Sequence, residues 1–201
     1  MLKHLLLSLL FLLPLLLSAA TGCDLNDPDN DVKRLFPAST GYTTLYASLQ
    51  KSGGKTALAN VEKALGDKFT GLYETIDVSY TIYKIYSRKT LIGYIHGVNQ
   101  KGEYGGLQVF LALDTKGRIL KLYYQKLSSK NAAKFKATSF TSQFTGLTRT
   151  DFATFDIKTG KGSGKVAAIK NPAPATDKDF LYTLRGVKKN LILMNTFIFK
   201  Q

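Results

Sequence analysis

Cysteine occurs once in the 201 residues, at Cys23, and histidine twice, at His4 and His96. One cysteine excludes an intrachain disulfide, so the folded part must be held by its own core. A single Cys, a His96 that sits inside a strand-like run, and no clustered acids leave a zinc site without ligands. No G-x-S-x-G elbow supports a Ser-His-Asp hydrolase. Gly160-Lys161-Gly162-Ser163-Gly164-Lys165 is one residue short of a phosphate-loop spacing, and Val166 stands where Ser or Thr would bind magnesium, so it reads as a plain loop. Acidic residues are also few: 14 Asp and Glu face 28 Lys and Arg, a formal net charge of +14. The lysines are scattered rather than blocked, so nucleic acid is not an expected partner and a solvated cationic surface is the default. No internal repeat or low-complexity run is visible after residue 32.

What is present begins with an address. Lys3 supplies a positive start, and Leu5 to Leu17 is apolar apart from Ser8 and Pro14. The run is short for a bilayer span and reads as a secretory signal over residues 1–22. Ala20-Thr21-Gly22-Cys23 resembles the lipobox of bacterial lipoproteins, with Ala in place of the usual first Leu. That resemblance implies lipidation of Cys23, a membrane anchor, and a domain facing the periplasm or exterior of the cell envelope. Asp24 after Cys23 resembles the signal that retains some lipoproteins in the inner membrane. The stretch DLNDPDNDV (24–32) carries four Asp, and residues 23–35 read as a lipidated Cys and a solvated acidic tether. Removing Lys3 with the signal and then the four tether Asp takes the charge to +13 and to +17 on residues 33–201. Such a domain suits anionic headgroups, acidic partners or phosphates.

Residues 36–201 are enough for one domain with a real core. Leu45 to Leu49 predicts the start of a short helix, and Lys55 to Phe69 a clearer one, with Leu58, Val61, Leu65 and Phe69 at helical spacing. From Val78 to Tyr86 the period is two, which predicts a strand. Leu91–Val98, Leu107–Leu113 and Arg118–Gln125 predict three more, the last pair joined by the Thr115-Lys116-Gly117 turn. A short helix is expected over Asn131–Lys136 and a longer one over Asp177–Asn190, with Ile192–Phe199 either extending it or returning as a strand. Consecutive strands flanked by helices predict an α+β fold: an antiparallel sheet of about four to six strands.

The glycine turn before the third of these strands, and the segments downstream of it, carry a resemblance. A glycine pair before a strand either only turns the chain or lets backbone N–H groups approach a ligand closely. Glu103-Tyr104-Gly105-Gly106, then Asp114, Gly117 and Ile119, then Phe140, Gln143, Phe144 and Gly146, are similar in order and spacing to the FMN-binding domain found in the C subunit of the sodium-pumping NADH:quinone oxidoreductase and the G subunit of the Rnf complex. That family has Gly-Tyr-Gly-Gly at the turn. It also has a Glu-Thr-Pro-Gly loop against the flavin, met here as Leu127-Ser128-Ser129-Lys130. Its Ser-Gly-Ala-Thr flavinylation motif is met here as Ala173-Pro174-Ala175-Thr176.

The resemblance implies FMN as cofactor, held by Tyr104, Gly105, Gly106, Leu127, Ser128, Ser129 and Thr176. The incomplete motif implies noncovalent rather than covalent binding. Thr176 is also placed to cap the helix that begins at Asp177, with Asp179 three residues on. The resemblance is compatible with two functions. One is a lipid-anchored FMN electron carrier of the envelope, rather than an independent enzyme. The other is a cofactor-free lipoprotein of the same fold, a binding or assembly module whose partners are redox or assembly proteins.

Overall fold

Period-two patterning with β-branched and aromatic residues builds five strands: β1 Gly41–Ala47, β2 Tyr80–Ser87, β3 Thr90–Lys101, β4 Gly106–Leu113 and β5 Ile119–Leu127. The computed structural model describes residues 23–69, 75–175 and 177–200. The signal segment and Thr176 lie outside them. The strands form one sheet in the order β1-β2-β3-β4-β5, every neighbouring pair antiparallel. Helices flank it, so the chain is a single α+β domain as its pattern predicts. The helices are α1 Pro28–Leu35, α2 Gly54–Leu65, α3 Ala132–Lys136, α4 Thr138–Thr141, α5 Gly164–Ala167 and α6 Asp179–Met194, the last continuing as a π turn over Asn195–Phe199. Among the described residues no helix is long and apolar enough to cross a membrane.

Two expectations are corrected. Leu45 to Leu49 does not begin a helix: Leu45 and Ala47 belong to β1, whose register runs from Gly41 opposite Tyr86 to Ala47 opposite Tyr80. Thr43, Thr44 and Tyr46 favour the pleated surface that β2 offers, and tertiary pairing overrides a weak helical spacing.

The second correction concerns the tether. Residues 23–36 do not stand off in solvent. Asp27 caps α1 through the Asn30 amide, Pro28 opens the helix, Asp29 and Asp31 sit in its first turn, and Lys33 and Arg34 in its last. Leu25, Val32, Leu35 and Phe36 are buried against Tyr83, Ile85, Ile95, Phe110 and Ala112 on one face of the sheet, and Cys23 joins them. The physical reason lies in the strands. Leu107, Val109, Leu111 and Leu113 face one way, but Phe110 and Ala112 between them are also fully buried. A sheet apolar on both faces needs cover on both.

The opposite face carries α6. Leu184, Val187 and Leu191 pack with the strand residues, and Phe135, Phe140 and Phe144 close the side through edge-to-face ring pairs. α6 is buried nearly all round, Arg185, Lys188, Lys189 and Asn190 included. Backbone carbonyls satisfy three of those polar groups: Lys188 Nζ donates to Phe155 O at 2.7 Å and Lys189 Nζ to Asn99 O. Asn190 Nδ2 donates to His96 O and Val109 O. The β4–β5 register slips between Gln108 and Val109, leaving Gln125 of β5 as the extra residue.

Candidate functional site

Three segments meet where α6 begins: the β3–β4 turn (102–105), the end of β5 with Ser128 and Ser129, and Asp177–Asp179. The turn is tight. Gly102 N donates to Gly105 O at 2.7 Å. Gly105 has φ +139°, a conformation that L side chains rarely adopt, and an added Cβ would lie 2.9 Å from Ser128 Cβ. A Cβ on Gly102 would meet Leu107 Cδ1 at 2.0 Å and Asp179 Oδ1 at 2.7 Å. At Gly102 and Gly105 the chain thus leaves room for its own Leu107, Asp179 and Ser128.

Asp179 and Glu103 clasp each other's segments. Glu103 N donates to Asp179 Oδ1 at 2.8 Å, and Lys178 N donates to Glu103 Oε2 at 2.9 Å. Asp177 completes the set: its Oδ1 accepts from Asp179 N at 2.8 Å and its Oδ2 from Asn131 Nδ2 at 2.7 Å. Asp179 is fully buried, Asp177 nearly so and Glu103 exposed. Three carboxylates therefore gather at the positive end of a 16-residue helix, where their charge is favourable. Asp179 Oδ2 has no hydrogen-bond partner.

The residues expected to hold a flavin are partly brought together. Gly105, Gly106 and Ser128 adjoin, with Ser128 N donating to Gly106 O at 3.2 Å. Ser129 turns inward to its own chain: its Oγ accepts from Asn131 N and its O from Ala132 N. Leu127 packs on the core. Tyr104 is 44% exposed, with Lys130 Nζ 4.7 Å from its ring centroid. Thr176 lies outside the described residues, between Ala175 and an Asp177 whose amide donates to Pro174 O.

Tested against a phosphate, the site does not fit. Helix N-termini bind phosphate through free amides and a positive field. Here the amides of Asp177, Lys178, Asp179 and Glu103 all have acceptors already, and three carboxylates repel a dianion. Asp177 and Asp179 are visible in the sequence as acids at the helix start, but the part played by Glu103 is not expected from it.

His96 and Tyr124 are held in the core by hydrogen bonds. His96 is fully buried; burial pushes its pKa down to about 4, and its Nδ1 is 2.8 Å from Asn190 Oδ1. Asn190 Nδ2 already donates to carbonyls, so its Oδ1 accepts, and the neutral ring carries its proton on Nδ1. Burial raises the Tyr124 hydroxyl far above its usual value, and it donates to Thr183 Oγ1 at 2.9 Å. Burial likewise raises the Cys23 thiol. No group of three His, Cys, Asp or Glu among the described residues could hold a metal. Beside Gly102 a cleft of about 630 Å³ opens between the end of β3 and the first turns of α6. Comparison with known protein families, and with curated proteins, finds no match to this chain.

Proposed function

We propose that this chain is a lipid-anchored protein of the bacterial cell envelope that keeps the architecture of an FMN-binding domain without the cofactor and serves as a binding module in an envelope assembly. The observation that carries this reading is the Glu103–Asp179 clasp. At the place where the similar family esterifies a phosphate, this chain has its own carboxylates on the amides. Two departures from the family's pattern act together here: Glu for Gly at 103, and Ala173-Pro174 for Ser-Gly ahead of Thr176. The first replaces a glycine by the side chain that accepts from Lys178 N, and the second removes the Ser-Gly pair of the flavinylation motif. The anchor reading rests on the lipobox-like Ala20-Thr21-Gly22-Cys23. The packing of residues 23–36 on the sheet supports a domain held close to its anchor rather than on a long spacer.

The test is to co-express the protein with a flavin-transferase and purify it. A colourless protein of unmodified polypeptide mass is expected. Flavin absorption bands, or a mass increase matching esterified FMN that disappears in Thr176→Val, overturn the cofactor-free reading. One observation favours the second reading, a noncovalent FMN electron carrier: Tyr104, exposed beside the glycine turn, offers a ring on which a flavin could stack.

A further inference from the structure

The two edges of the sheet are finished differently. At the start of β5, Ile119 N donates to Leu147 O at 2.9 Å, Gly146 N to Ile119 O at 2.7 Å, and Thr145 Oγ1 to Leu120 O, while α3 and α4 pack against the strand. β1 lies at the other edge and, among the described residues, pairs with β2 alone. An edge strand turns the N–H and C=O of alternate residues outward, and proteins guard such an edge with charge, proline or a bulge. β1, Gly-Tyr-Thr-Thr-Leu-Tyr-Ala, has none of these: no charged side chain, no proline, and an unbroken register from Gly41 to Ala47. Thr43, Thr44 and Tyr46 are exposed, Tyr46 at 54%.

The sequence of β1 is also nearly self-complementary. Set antiparallel to a second copy about Thr44, it places Thr44 opposite Thr44, Thr43 opposite Leu45, Tyr42 opposite Tyr46 and Gly41 opposite Ala47. Aromatic pairs and Thr–Thr pairs directly across antiparallel strands are favourable. The centre falls on a residue, so outward backbone groups meet outward groups whichever alternate set of β1 carries them. A two-fold axis through Thr44 then stands normal to the sheet and keeps each face on its own side. Tyr42 packs on the α1 face, against Tyr83, and Leu45 and Ala47 on the α6 face. Both Cys23 residues, which sit on the α1 face, therefore lie on one side of the joined sheet. Pairing uses up both β1 edges and leaves the covered β5 edges outside, so the assembly closes at two copies.

We infer that β1 is an interaction edge whose partner is a second copy of this chain, the two five-stranded sheets joining into one through antiparallel β1–β1 pairing. The basic character of the domain does not fall on this seam. No Lys or Arg lies in β1, and the β2 cation Lys84 stands one strand back, opposite Thr43. Repulsion between the copies acts from a distance and is screened over about 8 Å at physiological salt. A shared membrane rests on the anchor reading; the seam itself depends neither on lipid nor on the absence of FMN.

The test is disulfide trapping of the full chain in isolated membranes of the expressing cell, with copper phenanthroline as oxidant. Thr44→Cys sets two thiols on the axis, with Cα atoms about 4.5–5.5 Å apart, within disulfide reach. Tyr46→Cys, exposed on the same face, is the control, because its twin lies about 13 Å further along the partner strand. Wild type, whose lone Cys23 is buried, is the blank. A band at twice the chain mass is expected for Thr44→Cys, forming at least roughly tenfold faster than for Tyr46→Cys. Thr43→Lys in the Thr44→Cys background adds the kind of charge that guards natural edges, and should slow the trapping several-fold with Tm unchanged. Equal rates for the two cysteine variants, as random collision gives, or trapping indifferent to Thr43→Lys, overturns the inference. So does a Thr44→Cys band at another mass, which would mark a different envelope protein on the edge, or no cross-linked band at all. Protein found in the soluble fraction counts against the anchor alone, and the same oxidation carried out there still reads the seam.

Discussion

Replacing Asp179 by Ala should destabilise the domain by about 2 kcal/mol, a figure built from three contributions. The Glu103 amide loses a charged acceptor at 2.8 Å, and a hydrogen bond to a charged group contributes roughly 1.5–3 kcal/mol. Asp179 also opens α6, where a carboxylate adds about 0.3–1 kcal/mol through the helix dipole. Against these stands the unpartnered Oδ2, whose burial already costs about 1–3 kcal/mol and is relieved by the substitution. With the two losses at their upper ends and the relief at the middle of its range, about 2 kcal/mol of loss remains, or roughly 4–8 °C in Tm for a domain of this size. Glu103→Ala removes one exposed acceptor from Lys178 N and should cost about 0.5–1.5 kcal/mol. Because the two residues clasp one contact, the double variant should fall short of additivity by about 0.5 kcal/mol or more. Urea unfolding at constant m-value reads all three. An Asp179→Ala protein within about 2 °C of wild type, or strictly additive variants, would refute the clasp as a stabilising device.

Gly105→Ala should lower Tm whether or not FMN is present, because φ +139° and a Cβ contact at 2.9 Å are both features of the protein alone; a loss seen only in flavin affinity would contradict this. His96 has a folded pKa of about 4 against an ordinary 6.5, so between those values the unfolded chain binds the extra proton. Stability should therefore fall as pH drops from 6.5 through 4, by up to about 3 kcal/mol, and His96→Gln should flatten that slope in pH-dependent unfolding. Phe36→Ala, which uncovers the second sheet face, should cost about 3–5 kcal/mol in chemical unfolding; a true tether residue would cost nothing measurable. Cys23→Ser should release the protein from membranes after a high-salt wash or leave its signal uncleaved; normal processing with unchanged membrane binding rules out the lipobox.

The fold was legible where one pattern dominated. Leu107 to Leu113 announced a strand by alternation, and Leu184, Val187 and Leu191 announced a helix face. Where two forces competed, the sequence misled. The four Asp of residues 24–32 read as solvated, yet Leu25, Val32 and Phe36 among and after them cover a sheet face. The need for that cover was written in Phe110 and Ala112, far along the chain. β1 was missed because Leu45 and Leu49 happen to stand at helical spacing, while its true partner, β2, begins more than 30 residues later.

The candidate site shows the same division. Glycine spacing located the turn, and the acidic start of α6 was visible beside it. No local pattern tells that Glu103 reaches the Lys178 amide, since that bond joins residues 75 apart. The cleft was illegible for a like reason. Gln100, Lys158 and Tyr182, which line the cleft beside Gly102, come from three separate stretches, and none of them belongs to a motif.

The most direct test of the cofactor-free reading is a fluorescence-quenching titration of FMN with the purified, refolded wild-type protein. The Glu103–Asp179 clasp predicts no saturable quenching up to about 1 mM. Saturable quenching with a Kd of about 10 µM or tighter, weakened by Tyr104→Ala, would contradict it and restore the flavin carrier.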